Sequence, residues 1–333
     1  MRVSVVIVNF NAGPRLQWCL DHLAMQTLQP LEIIVVDNGS SDDSLAAATD
    51  RNDELARRIK TMPMGRNLGF AQANNLAASE ATGEWLAFLN PDAYAAPDWL
   101  ARLAAAVDRH PQVEAFGSLQ IDATNTDVLD GCGDVCTVYG VAYRGGHGAR
   151  RTRAPSIDKE TFAPCAAAAL YSRERFLELG GFDERFFCYG EDVDLGFRHR
   201  NAGGRCVQVS DAIVRHEGSG ITGKRSSFAV YHGHRNRVWF YYKNVSGLLY
   251  WSTAPARLLG DVLLLCRAAT DGVFWPYLKG IRDGYRDLGR FRVDRQNIAK
   301  RRRESQTDVA RALTWSPVKL LTRAPDLRPL VDE

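Results

Sequence analysis

The sequence predicts an α/β fold: a mostly parallel sheet with helices on both faces, followed by a helical C-terminal extension. Three observations carry this. The runs VSVVIVN, LEIIVVD and EWLAFLN are continuous, apolar and of strand length. Such runs mark strands buried on both faces, as in a parallel sheet covered by helices. Helix-patterned stretches separate them, giving a βαβ rhythm. From about residue 226 the composition turns aromatic and basic, beginning with SFAVYHGHRNRVWFYYKN.

The elements follow in order. Val3 to Asn9 is the first strand, and Pro14 opens a helix through Met25. Leu31 to Asp37 is the second strand and ends in the turn Asp37-Asn38-Gly39-Ser40. Ser41-Asp42-Asp43 caps a helix to about Arg58. A short strand at Ile59 to Met62 precedes a helix at Gly69 to Ala81. Glu84 to Asn90 is the next strand, and Pro97 starts another helix. Gly117 to Pro155 is Gly-rich and polar and reads as an irregular excursion. A strand at Cys165 to Tyr171, a helix at Glu191 to Asn201 and the strand VQVSDAIV complete a domain of residues 1–225. Residues 226–333 form the extension, with two helices in Ala254 to Arg290 broken near Thr270 to Gly272. The last thirty residues read as loose.

Composition narrows the function. At 333 residues the chain exceeds what one core usually serves. Its 42 Lys+Arg against 39 Asp+Glu lack the basic excess of a dedicated nucleic-acid binder. The near-neutral total hides two regions of opposite sign. Residues 251–333 hold 16 basic and 10 acidic side chains, and the remainder holds 26 and 29. The seven cysteines form no CxxC pair, which argues against a structural zinc site or a disulfide scaffold. Reduced thiols fit the cytoplasm. The N-terminal apolar run is cut by Asn9 and Asn11 and lacks a cleavage site, so it reads as a strand rather than a signal peptide. No uninterrupted apolar stretch reaches the length of a spanning helix.

Ligands of open α/β sheets bind beyond the carboxyl ends of the strands. Asn9, Asp37 and Asp92 fall at or just past such ends. Each also suits an ordinary turn or cap; three on one edge favour a polar ligand. Neither GxxxxGK[ST] nor a GxGxxG after the first strand occurs, so a bound diphosphate calls for another cation. Mg²⁺ typically uses one or two carboxylates plus substrate phosphates. Asp92 with the imidazole of His216 would tilt the choice toward Mn²⁺.

At this point SVVIVNFNAG, VVDNGSSDDS, GRNLGFAQANNLAA, FLNPDA and GGFDERFFCYGEDVDLGFRHR resemble family 2 glycosyltransferases. Within the family they are most similar to the bacterial rhamnosyltransferase-type branch. The resemblance covers residues 1–222, with a weaker echo to Asn244. It implies a GT-A fold and metal-dependent, inverting transfer of a single sugar from a nucleotide-diphosphate donor. The implied donor is dTDP-rhamnose, with UDP-hexose or a galactofuranose donor as alternatives. The implied acceptor is a cell-surface glycan or a lipid-linked saccharide.

The resemblance also implies roles for particular residues. Asp37 would contact the base or ribose, with Asn9 beside it and Arg66 and Asn67 flanking the nucleotide. Asn90-Pro91-Asp92 stands in place of the family's DxD motif, with Asn90 replacing the first aspartate and Asp92 left as metal ligand. Asp192 would be the catalytic base and Glu191 its rival, more suited to orienting the acceptor. His216 matches a metal-completing histidine, or is a loop histidine satisfied by backbone. Arg235 and Arg237 would reach a diphosphate, or else lie on a solvated helix face. The basic extension suits the inner face of the cytoplasmic membrane, or packing on the catalytic domain or on a second subunit in a homo-oligomer. The absence of a QxxRW motif and of spanning helices fits transfer of one sugar or very few. Two other readings remain: a sugar-1-phosphate nucleotidyltransferase, which NFNAGPRLQW fits poorly, and a non-catalytic scaffold.

Overall fold

A computed structural model describes residues 1–218 and 226–330. Its first part runs β1 (Val3–Asn9), α1 (Arg15–Ala24), β2 (Glu32–Asp37), α2 (Ala46–Thr49), β3 (Ile59–Pro63), α3 (Phe70–Glu80) and β4 (Trp85–Leu89). Next come β5 (Ala93–Ala95), α4 (Trp99–Arg109), β6 (Ala115–Asp122), β7 (Leu129–Gly131), β8 (Asp134–Cys136), β9 (Ala142–Arg144) and β10 (Lys159–Thr161). The sheet region closes with β11 (Ala168–Ser172), α5 (Arg173–Glu178), α6 (Glu191–Asn201) and β12 (Cys206–His216). The C-terminal arm holds α7 (Ser227–Asn244), α8 (Gly247–Ser252), α9 (Ala254–Thr270) and α10 (Phe274–Arg286). It continues through α11 (Arg292–Arg301), α12 (Gln306–Ala312) and α13 (Pro317–Thr322).

The main sheet has the order β10-β12-β6-β11-β4-β1-β2-β3, with β5 on β12 and β7 on β6. The pairs among β4, β1, β2 and β3 are parallel, as is β6 with β12, whereas β11 runs antiparallel between β4 and β6. One face packs on α1 and α4 through Leu16, Leu20, Leu100 and Leu103. The other packs on α3, α5 and α6 through Ala77, Phe176 and Leu195. The result is a mostly parallel α/β sheet covered by helices on both faces, as expected, with a helical C-terminal region.

Three sequence expectations change. The helix expected from the Ser41-Asp42-Asp43 cap to about Arg58 is not continuous: only Ala46–Thr49 is α-helical, between 3-10 turns at Asp43–Leu45 and Glu54–Arg58. The excursion from Gly117 begins inside β6, a buried strand between β11 and β12. Ser118 and Gln120 disguised it, yet both are buried, and Ser118 accepts a 2.8 Å bond from the Trp99 indole. The tail is not loose. Thr314 N donates to the Cys136 carbonyl at 2.8 Å, and Arg328 bridges antiparallel to Glu160 on β10. A third apolar cluster joins Cys136, Phe186 and Phe197 to Trp239, Phe291 and Leu313, so the arm packs on the sheet domain. The expected boundary at 225/226 borders residues 219–225, which lie outside the described residues and include Ser219 and Gly220 of RHEGSG. Among the described residues, no helix is long and apolar enough to cross a membrane.

Candidate active site

The strand register places the first residues of the site. Parallel pairing sets Asn9 directly beside Asp37 at the ends of β1 and β2. Asn9 is buried, and its amide donates to Asp37 Oδ1 at 3.0 Å and to Ser44 Oγ at 2.8 Å. The next turn recruits the Arg66-Asn67 loop. Buried Asn38 donates to Asn67 Oδ1 at 3.0 Å and accepts from Leu68 N at 2.8 Å. Gly39 has φ +78°, and a Cβ there would stand 2.7 Å from the Arg66 backbone. No other residue fits that position without moving the loop.

A second cluster forms where β5 folds back onto the end of β12. The antiparallel register pairs Ala93 with His216, and Glu217 N donates to the Asp92 carbonyl at 3.1 Å. Asp92 Oδ1 then lies 3.3 Å from His216 Nε2, while His216 Nδ1 lies 2.7 Å from Asp130 Oδ2. Asn90 Nδ2 is 3.5 Å from the same Nε2. Arg144 pairs with Asp130, and His147 Nδ1 is 3.3 Å from its other oxygen. Burial alone would lower the His216 pKa, but the two carboxylates override it and lift it to about 9.

The third cluster surrounds the N-terminus of α6. Asp192 accepts from Val193 N at 2.8 Å and Ala166 N at 3.2 Å. Asp134, Cys165 and Asp192 offer ligand-type atoms all within 4.8 Å of one another. Burial pushes all three above their ordinary pKa values, Asp134 and Cys165 well above. The two buried carboxyls share a hydrogen bond, which favours one proton between them. The group is spaced to hold an ion, and Asp192 within it is equally placed to take a proton. Glu191 is buried, its Oε2 has no partner, and burial followed by Asp192 drives its pKa well up. Asp194 belongs elsewhere: it accepts from Arg198, Lys243 and Asn244 and fastens α7 to α6.

Arg144 connects the second and third clusters. It faces Asp134 across the β8–β9 pair, and its charge interacts with Asp130, Cys165, Asp134 and Asp92. Asp130, Asp134 and Arg144 were absent from the expected site. All three lie in the Gly117 to Pro155 excursion that the sequence reads as irregular, and the closely spaced Asp130 and Asp134 were the available hint.

The loop before α6 is strained. Phe187 and Tyr189 hold φ of 66° and 71°, unusual for bulky residues. Asn236 holds this conformation: its Nδ2 donates to the carbonyls of Phe186, Cys188 and Tyr189 at 2.9, 2.9 and 2.7 Å. Neighbouring arginines stay outside the strand-end cluster. Arg237 is buried and committed to Asp261 and, at 3.0 Å, to Tyr277 Oη, which corrects its expected contact with a diphosphate. Arg235 donates to Phe186 O at 3.0 Å and lies over Trp239 at 4.1 Å, a packing role instead of the expected phosphate contact.

A polar edge at the strand ends, an Asp–His pair and a buried acidic helix start lie at the carboxyl side of the sheet, where open α/β folds bind ligands. Residues 4–180 match Glycosyl transferase family 2, and the chain belongs to that family. It is 29% identical over 276 residues to the N-acetylglucosaminyl-diphospho-decaprenol L-rhamnosyltransferase of Mycobacterium tuberculosis, covering 77% of this chain and 88% of that one. It is also 29% identical over 228 residues to the O-antigen biosynthesis protein RfbC of Myxococcus xanthus, covering 65% of this chain and 17% of that one. Among solved structures, GalNAc-T7 with UDP, GalNAc and Mn²⁺ superposes with TM-score 0.59 at 20% identity, over 73% of this chain and 50% of that one. The mannosyltransferase PcManGT of Pyrobaculum calidifontis, with GDP-Man and Mn²⁺, gives 0.53 at 18% identity, over 90% and 86%. These structural likenesses show the fold.

Proposed function

We propose that the protein transfers a single rhamnose, with inversion, from dTDP-rhamnose to a hydroxyl of a lipid-linked saccharide at the cytoplasmic face of the membrane. The observation that carries this reading is the similarity, along most of both chains, to an L-rhamnosyltransferase whose named acceptor is a diphospho-decaprenol saccharide. The three clusters support it with matching chemistry.

Asp37, Asn9 and the Arg66-Asn67 loop form the nucleotide end. Asp92 and His216 would hold a divalent ion once it displaces the proton from His216 Nε2: their facing atoms are 3.3 Å apart, and Asp130 holds the other ring nitrogen, as outer partners of metal-binding histidines do. A bound Mg²⁺ or Mn²⁺ would offset charge growing on the leaving diphosphate. One carboxylate and one imidazole leave positions for phosphate oxygens and water.

Asp192 takes the acceptor proton as the acceptor oxygen bonds to the anomeric carbon and the bond to the diphosphate oxygen breaks. A positioned base of this kind contributes about 10²–10⁴-fold. Its raised pKa makes it a stronger base than an ordinary aspartate, and Glu191 beside it is placed to orient the acceptor. The test is a thermal-shift screen of nucleotide sugars with Mn²⁺, followed by transfer assays. dTDP-rhamnose should stabilise most, and Asp192→Asn should keep that stabilisation while losing transfer. Stabilisation by a UDP-hexose or galactofuranose donor instead would name a different donor, and normal transfer by Asp192→Asn would remove the base assignment.

A further inference from the structure

We propose that the outward face of α8, α9 and α10 is a docking surface for an anionic lipid bilayer. This rests on the lipid-linked acceptor of the reading above only for its purpose, not for its structural basis.

Helix α9 has its polarity reversed. Its inner side carries Arg257, stacked on Tyr250 at 4.1 Å, and buried Asp261, bonded to Arg237 and Tyr285. Its outer side presents Leu258, Leu259, Val262 and Leu263, between 49% and 65% exposed. No charged side chain stands on α9 between Asp261 and Arg267. A water-facing helix normally shows the opposite arrangement. The apolar surface extends to Leu248 and Trp251 on α8, 78% and 70% exposed, and to Trp275 on α10, 74% exposed. Large exposed apolar patches mark contact surfaces, and tryptophan favours the boundary between headgroups and acyl chains.

Charge selects the occupant. Residues 247–303 hold twelve Lys/Arg against five Asp. Lys279, Arg282, Arg286 and Arg290 are exposed on or just beyond α10, which packs beside α9; Asp283 pairs with Arg282, and Asp287 is shared by Arg286 and Arg290, so the patch keeps a net positive charge. A two-fold dimer on this face would set the same basic patch against itself. An anionic bilayer instead neutralises it while taking up the leucines and tryptophans, the combination that holds interfacial helices.

The experiment is co-flotation of the full chain with phosphatidylcholine vesicles, with and without phosphatidylglycerol. The protein should float with the anionic vesicles and be released by high salt. Leu259→Glu/Leu263→Glu should cut the bound fraction by about tenfold or more. Arg282→Glu/Arg286→Glu should weaken binding to anionic vesicles while leaving the fold intact. Wild-type protein that stays unbound, or a leucine variant that floats like wild type, would overturn the proposal. So would a wild-type dimer in sedimentation equilibrium that the leucine variant dissociates, since a second copy would then cover the face. Nucleotide-sugar stabilisation measured on the same samples keeps the two readings apart: it should persist in both variants, and its absence in vesicle-bound wild type would sink the transferase reading alone.

Discussion

His216 Nδ1 lies 2.7 Å from Asp130 Oδ2, which leaves Nε2 of the same ring facing Asp92. The contact fixes the ring plane and keeps a proton on Nδ1; with a pKa of about 9, Nε2 is protonated too until an ion displaces it. Asp130→Asn should therefore loosen the ring without deleting either proposed ligand. The Mn²⁺ concentration needed for half-maximal donor hydrolysis is expected to rise about 10–100-fold. An unchanged requirement, with unchanged stability, would mean that Asp130 serves only Arg144 and His147.

The Asp134–Asp192 pair sets a pH dependence. A base must be deprotonated, so activity falls as pH drops through the pKa of Asp192, which lies above the usual 3.8. The hydrogen bond it shares with Asp134 opposes that rise. Asp134→Leu removes this partner and should move the acid limb of kcat/KM to higher pH. Asp134→Asn keeps an N–H donor and should stay nearer the wild-type profile. Coincident profiles for all three proteins would remove the coupling.

Glu32 gives a prediction about the fold. It accepts from Ser4 Oγ, Thr82 N and Thr82 Oγ1, each at 2.7 Å, and from Lys60 Nζ at 2.5 Å. Burial opposes its charge, yet these donors lower its pKa from 4.5 to about 2. Because the folded value is depressed, the stabilisation is complete above the unfolded pKa and disappears as pH falls from about 4.5 to about 2. Glu32→Gln should cost about 1–3 kcal/mol at neutral pH. Its melting temperature should fall less steeply than that of wild type across the acid range. Parallel curves in a pH series of thermal melts would show that other carboxylates govern acid unfolding.

The sequence was informative where the chemistry is local. The apolar runs located β1, β2 and β4, and the strand-end rule located Asn9, Asp37 and Asp92, because a parallel register needs no more than strand order. Helix α6 was legible to its first and last residue. Asp130, Asp134 and Arg144 were not legible, because their value arises only when short strands bring them beside His216 and Asp192. Arg237 misled for the reverse reason. A basic residue in an aromatic helix suggests phosphate, but its partner Asp261 lies 24 residues away on α9. Strand β6 was hidden by buried polar side chains whose partners the sequence does not reveal.

Asn236 belongs to the C-terminal arm, yet it grips the backbone that delivers Glu191 and Asp192. The stretch matching the family ends at residue 180, well before this amide. Shortening the gene to that stretch, or to the sheet and its covering helices, would discard the clasp that sets the reactive carboxylates. The arm thus sets the backbone in front of α6, so a substitution at Asn236 would be felt at the proposed site although it lies in another part of the chain.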